Sequence, residues 1–171
     1  MTDLTSPRSK LSPVIDAISI LMAWRTTGNF QARVHHQLGA EPSSEYQLEA
    51  RPRQSSYRLV SKETGLVDSF DAVSRSLISA GERVEYRDNM LVFEPLPVRL
   101  AFPLSLGIWG RSFDDYRIVD GASAGDDIIL SLSNTRDPQI AGLLTVSRAQ
   151  RKAVRLDTPT QKIVYESIEP L

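Results

Sequence analysis

The chain has 171 residues, a formal net charge of −1 and no cysteine. This length fits one domain with a substantial core, and the lack of cysteine excludes a disulfide framework and a thiolate metal site. The near-zero net charge gives no general electrostatic reason for binding nucleic acid, so we expect no nucleic-acid partner.

The chain opens with a polar stretch and then one apolar run. Residues 1–11 are polar and predict a flexible arm ahead of a single domain over residues 12–171. The apolar run, residues 14–24, is too short to span a membrane and contains Asp16. No small-residue cleavage site follows it, so we expect no targeting segment in the chain. An exported protein whose signal peptide had been removed would look the same.

The same apolar run predicts the main helix of the protein. Ser12 is suited to cap a helix, Pro13 to occupy its first position, and Gly28 to end it. Apolar residues at helical spacing predict its buried face: Val14, Ile15, Ala17, Ile18, Leu21, Met22 and Trp24.

After Gly28 the apolar period shortens to two residues, which predicts strands. Short alternating runs separated by turn residues indicate about ten strands in an antiparallel arrangement. They include two at residues 83–87 and 90–94, joined by an Asp-Asn turn. On the first strand, the alternation predicts one shared face: Phe30, Ala32, Val34, His36 and Leu38.

Residues 95–110, called the cover segment below, break this alternation. They hold three prolines, which remove ladder donors, together with many large apolar residues. We expect an irregular or briefly helical segment that lies across the sheet. The sequence therefore predicts an α+β protein with one curved, mostly antiparallel sheet, covered by the N-terminal helix and by this segment.

Gly121, Ser123 and Gly125 have the Gly-x-Ser-x-Gly spacing of the nucleophile elbow of serine hydrolases. An elbow needs a strand-to-helix turn, but a strand-like run follows Ser123. The only two histidines, His35 and His36, lie upstream and point to opposite faces of a strand. We interpret the motif as an acidic hairpin loop. Since no acid–base or nucleophile set remains, we expect no enzyme activity.

The sequence does not favour a metal site or a cofactor either. Adjacent strand histidines diverge, so His35 and His36 do not form a ligand pair. The acidic stretches at residues 113–117 and 120–127 lack the carboxylate pattern of a calcium loop. Solvated turns explain them better.

Four basic residues cluster at residues 148–155, without interleaved aromatic residues that would stack on bases. An ordinary hairpin tip is the favoured interpretation. If the cluster functions, docking to an acidic protein partner is the natural use of Arg148, Arg151 and Lys152.

Several short motifs follow one another in a distinctive order. A capped helix leads into Phe-x-Ala-x-Val at residues 30–34, and ARPRQSSYRL follows at residues 50–59. Then come SLISAGERVEYRDNMLVFEP, DYRIVDGASAGDDIILSLS and a final stretch at residues 142–168. In this order, over residues 12–168, the chain resembles the LolA-like half-barrel proteins, which carry lipoproteins and lipids in the bacterial envelope. One departure is Ala80-Gly81, where that family usually has Asp-Gly.

The resemblance implies an incomplete barrel around an apolar cavity that binds lipid or lipoprotein acyl chains without catalysis. It also implies a membrane-associated protein partner, and a place in the bacterial periplasm if a signal peptide has been removed, or otherwise in the cytoplasm. Cavity residues on the strands would be Phe30, Val34, Tyr46, Tyr57, Leu59 and Val92. Those of the cover would be Phe102, Leu106 and Trp109.

A different function remains open at this point. The cover segment could equally be a plug that completes a solid core. The protein would then be an interaction or scaffold domain without a ligand cavity.

Overall fold

The computed structural model describes residues 8–85 and 92–171. Within them, helix α1 (Arg8–Met22) precedes eleven strands. The strands are β1 (Phe30–Leu38), β2 (Ser44–Arg51), β3 (Ser56–Ser61), β4 (Val67–Asp71), β5 (Ser76–Ser79), β6 (Glu82–Val84), β7 (Tyr116–Ala124), β8 (Asp127–Asn134), β9 (Ala141–Ser147), β10 (Lys152–Asp157) and β11 (Gln161–Pro170).

All of these strands belong to one antiparallel sheet, in the order β6-β5-β4-β3-β2-β1-β11-β10-β9-β8-β7. The two halves of the chain meet at β1, which pairs with β2 on one side and with β11 on the other. The outermost strands, β6 and β7, do not pair with each other, so the sheet stays open. This is an α+β open half-barrel, and it confirms the predicted fold class.

Strand β1 shows why this sheet has one covered face. Phe30, Ala32, Val34 and His36 are buried, whereas the residues between them are half-buried or exposed. The period-two pattern of the sequence is therefore the pattern of burial, as predicted. Only Leu38 departs from it, because it lies at the strand end and is 41% exposed.

Helix α1 begins at Arg8 rather than at Ser12, so Pro13 lies inside it and not at its first position. The predicted boundary between residues 11 and 12 therefore falls within the helix, which includes residues 8–11 of the predicted arm. Residues 1–7 lie outside the described residues.

The buried face of α1 is narrower than predicted. Ala17 and Leu21 are fully buried and Val14 packs against the core, at spacings of three and four residues. Ile15 and Met22, which the sequence placed on this face, are 58% and 57% exposed. Ile15 follows Val14 and Met22 follows Leu21, and one residue along a helix rotates the side chain about 100° around the axis. Both side chains therefore point away from the sheet.

Helix α1 covers the β7–β8 end of the inner face. A Cβ atom at Gly121 of β7 would lie 2.8 Å from Cγ2 of Val14. Glycine at this position therefore permits the helix to approach the strand closely.

The acidic loop predicted at residues 120–127 is mostly strand. The pairing of β7 with β8 continues to Ala124 and Asp127, so Gly125 and Asp126 alone form the connection. Gly125 has a φ of 61°, and a two-residue hairpin often requires such a left-handed position.

The cover segment contains two short 3₁₀ helices, Leu96–Ala101 and Pro103–Ser105. The first contacts β1, β2, β10 and β11, and so covers the part of the inner face that α1 leaves open. The predicted irregular crossover is confirmed. The strands predicted at residues 83–87 and 90–94 both extend into residues 86–91, which lie outside the described residues. Strand β6 ends at Val84, and residues 92–94 form no strand.

Candidate functional site

The centre of the inner face is occupied by an aromatic cluster around Phe102 of the cover segment. The ring of Phe102 contacts Trp24 edge-on, with centroids 5.4 Å apart, and Tyr57 at 6.2 Å. Edge-to-face pairs of this kind add to the stabilisation from burial. Phe102 and Leu106 are only 3% and 2% exposed. In this conformation the cover segment fills the centre of the half-barrel with its own side chains.

Most residues predicted for the ligand cavity do come together here. Six of them are buried in one cluster: Phe30, Val34, Tyr57, Leu59, Phe102 and Leu106. Tyr46 and Trp109 are half-buried against that cluster. Val92 is elsewhere: it lies in no strand and lines a groove with Phe93 and Leu104 instead. The prediction that Val92 occupies an inward strand position is wrong, because the described residues 92–94 form no strand.

Tyr165 on β11 is the polar anchor of the cover segment. Its buried hydroxyl donates a hydrogen bond of 2.8 Å to the carbonyl of Pro97. Burial raises the pKa of Tyr165, against the opposing effect of the backbone N–H groups of Ala101 and Leu100. Among the described residues this hydroxyl makes the only hydrogen bonds between residues 96–105 and the sheet.

The far end of the cover segment is held by Asp114. Its carboxylate accepts backbone N–H bonds from Trp109 and Arg111, both at 3.0 Å. The Arg111 guanidinium also binds it, at 2.9 Å. Burial alone would raise the pKa of Asp114, but these hydrogen bonds and the Arg111 charge outweigh burial and lower the pKa. The segment is thus firmly tied next to β7 and loosely tied along its middle.

A groove of about 290 Å³ opens where the cover segment begins. We call it the His36 groove. His36 is 7% exposed, and its Nε2 is buried without a hydrogen-bond partner among the described residues. Burial lowers the pKa of His36, so the ring is neutral at pH 7. The lining residues are His36, Leu38, Glu41, Pro42, Ser44, Tyr46, Leu59, Asp68, Pro95, Leu96 and Pro97.

The basic cluster is less available for docking than the sequence implied. Lys152 is 7% exposed, and its Nζ lies 3.7 Å from the centre of the Phe30 ring. Burial lowers the pKa of Lys152 to about 8. Arg151 is exposed at the turn between β9 and β10, with a φ of 53°.

The Arg148 side chain is already bound to other residues of the fold and is not free to bind a partner. Its guanidinium donates to the Ser123 hydroxyl at 2.9 Å and to the carbonyl of Gly125 at 3.2 Å, and it pairs with Asp16 of α1 at 3.7 Å. Ser123 itself lies on a strand that turns into another strand. The strand-to-helix turn of a nucleophile elbow is therefore missing at this serine.

Within residues 8–85 and 92–171, no group of three His, Asp or Glu side chains is placed to hold a metal ion. None of the helices in the same ranges has the length and apolar character needed to cross a membrane.

Two features of this site were missed from sequence. The burial of Tyr165 has a signal in the sequence, because Ile163 and Tyr165 alternate with less buried neighbours on β11. That pattern predicts burial but not the carbonyl that its hydroxyl meets. Nothing in the sequence indicates that Lys152 is buried, because a lysine near a turn is normally solvated.

No family model matches the chain, and no curated protein matches it. Several solved structures do match the chain in their general layout. MucB matches with a TM-score of 0.48 and 12% identity over 92% of this chain and 58% of that chain. An uncharacterized conserved protein from Thermus thermophilus matches with a TM-score of 0.47 and 9% identity, over 92% of this chain and 87% of that one.

A LolA superfamily protein, NE2245 from Nitrosomonas europaea, has a TM-score of 0.36 and 12% identity, over 91% of this chain and 93% of that one. One MucB structure is a complex with MucA(peri); there the present chain spans about half of the MucB chain, 54%. At these TM-scores and identities the likeness concerns the general layout of the fold alone.

Proposed function

We propose that this domain is a non-enzymatic binding module that holds a lipid or lipoprotein acyl chain against the inner face of the sheet, in the place of the cover segment. The observation that carries the proposal is the attachment of this segment. Its middle is buried by apolar packing, yet the hydrogen bonds that residues 96–105 make to the sheet converge on the one hydroxyl of Tyr165.

Such a cover can be exchanged for an alkyl chain. Apolar contacts are non-directional, so methylene groups can replace the side chains of Phe102 and Leu106 at the sheet. Burying an acyl chain is worth about 0.8 kcal/mol per methylene, which is enough to compensate for exposing part of the cover. A bacterial envelope location goes with this proposal.

A protein-interaction function is the second candidate, and a specific feature favours it. Phe93 and Phe113 are 73% and 74% exposed and line one groove of about 480 Å³ with Leu104. Exposed aromatic residues around a groove are typical of protein-binding surfaces. Under this function the cover segment stays in place as core.

The deciding experiment is acyl-chain uptake. The purified protein is titrated with a fluorescent fatty acid, and co-purified lipid is sought by native mass spectrometry and solvent extraction. We expect saturable uptake that Tyr46→Asp abolishes, because this substitution places a charge on the sheet face that the chain would cover. Phe113→Asp is the matched control, since it introduces the same charge at an exposed ring and should leave uptake unchanged.

A folded wild-type protein that takes up no acyl chain would refute the proposal and favour the interaction function. Circular dichroism establishes that each variant is folded.

A further inference from the structure

We propose that the His36 groove receives the polar end of the bound chain, and that this end is a protonated primary amine rather than a carboxylate. The inference rests on the proposed function and deepens it, because it names the chemical class of the ligand: a single-chain amphiphile with an ammonium head.

The first argument is the unpaired acceptor at the groove. Most buried polar atoms in proteins have a partner, and leaving one without costs about 1–3 kcal/mol. His36 Nε2 is such an atom among the described residues. It has almost no accessible surface while the cover segment is in place, so a ligand reaches it only when the entering chain displaces the cover. In a neutral imidazole one ring nitrogen accepts, so an N–H donor from a ligand would satisfy Nε2 when the proton is on Nδ1.

The second argument is the charge of the groove. Glu41 and Asp68 line it, and no lysine or arginine from the described ranges does. Burial raises the pKa of Tyr57, and the negative charge of Asp68 raises it further, so the field of Asp68 reaches the inner face. A carboxylate head would meet like charges here, whereas an ammonium would meet opposite ones.

An ammonium also matches the groove in hydrogen-bonding capacity. It has three donors and no acceptor. The groove offers the carboxylate oxygens of Glu41 and Asp68, which accept; Oδ1 of Asp68 already accepts the N–H of Ala80 at 2.9 Å.

The third argument is continuity with the cover segment. Pro95, Leu96 and Pro97 line one side of the groove, while Tyr46 and Leu59 contribute apolar surface from the sheet. A chain whose head lies at His36 would therefore enter beneath the cover at the carbonyl that Tyr165 holds. From His36 to Phe30 the strand extends about 20 Å, which accommodates an extended alkyl chain.

The test compares head groups on one alkyl chain. Dodecylamine, dodecanol and dodecanoate are titrated into the full chain at pH 7 by calorimetry, below their micelle-forming concentrations. We expect the amine to bind at least about tenfold more tightly than the carboxylate, with the alcohol between them.

Three variants locate the effect. Glu41→Gln and Asp68→Asn should each reduce the preference for the amine several-fold while leaving dodecanol binding unchanged. His36→Phe should weaken the binding of dodecylamine. Glu45→Gln is the matched control, because Glu45 lies on the opposite face of β2 and pairs with Arg33 at 3.5 Å.

The failures are distinguishable. Equal binding of amine and carboxylate, or tighter binding of the carboxylate, overturns the head-group inference and leaves the acyl-chain function standing. Binding of none of the three probes overturns both. Since Glu41 is exposed, we expect Glu41→Gln to leave the core intact, and this variant keeps the test valid even if His36→Phe does not fold.

Discussion

The hydroxyl of Tyr165 and the carbonyl of Pro97 form a buried hydrogen bond of 2.8 Å between residues 68 positions apart in the chain. It joins the central part of the sheet to the first 3₁₀ helix of the cover segment. Because the apolar contacts around it can slide or be exchanged, this bond sets the position of the cover.

Replacing this hydroxyl should therefore loosen the cover. Tyr165→Phe leaves the Pro97 carbonyl buried without its donor and should lower the free energy of unfolding by about 1–3 kcal/mol. Urea denaturation measures this loss, and hydrogen exchange should quicken at residues 98–102. Tyr46→Phe is the control, since the Tyr46 hydroxyl makes no hydrogen bond to a described residue and its loss should change little. Unchanged exchange in Tyr165→Phe would mean that the cover is held by packing.

Lys152 should make stability depend on pH in the alkaline range. Its pKa falls from 10.5 in the unfolded chain to about 8 in the fold, so above pH 8 the unfolded state binds more protons. Stability must therefore rise with pH from about 8, by about 1–3 kcal/mol in all. The rise should end near pH 10, where the unfolded tyrosines ionise while the pKa values of Tyr57 and Tyr165 in the fold remain higher.

Denaturation of wild type and Lys152→Met across this pH range tests the assignment. The methionine variant should lack the rise, whereas Lys62→Met, at an exposed lysine, should retain it. A rise that persists in Lys152→Met would have to come from another group.

Asp114 should stabilise the fold at neutral pH but not in acid. Asp114→Asn weakens the charged hydrogen bonds to Arg111 and should cost about 1–3 kcal/mol at pH 7. Because the pKa of Asp114 in the fold lies below 3.8, this stabilisation is complete above that pH and is lost as the pH falls through the folded value. The difference between wild type and variant should thus shrink in strong acid.

The matched control for Asp114 is its neighbour. Asp115 is 68% exposed in its side chain and pairs with Arg136 at 3.9 Å. Asp115→Asn should change stability by less than about 1 kcal/mol. A comparable loss in both variants would contradict a special role for Asp114.

Gly121 should matter for helix packing rather than for chemistry. Gly121→Ala places a methyl group 2.8 Å from Val14 and 3.1 Å from Leu130, and should destabilise the fold by about 1–3 kcal/mol. Adding Val14→Ala should restore part of that loss, since the two residues touch.

Ser123→Ala, at the centre of the same motif, should lower stability by less than about 0.5 kcal/mol. Its hydroxyl only accepts an exposed hydrogen bond from Arg148. An esterase activity that vanished in Ser123→Ala would revive the hydrolase interpretation.

The sequence by itself determined most of the strands, the inner face of β1 and the cover segment. On β1 the alternation of Phe30, Ala32 and Val34 is local, and a period of two has the same meaning wherever the strand lies in the sheet. Proline in the cover segment excludes a central strand for an equally local reason. These features follow from neighbouring residues, so one chain is enough to predict them.

Only the tertiary structure decided which polar groups meet. The approach of Tyr165 to Pro97, the position of Lys152 over Phe30 and the unpaired nitrogen of His36 each depend on residues far apart in the chain. The exposure of Met22 and the place of Val92 belong with them, since both depend on which partner surface is present. Hydrophobic periodicity specifies that a residue is buried; only the assembled sheet, with α1 and the cover segment in place, specifies against what.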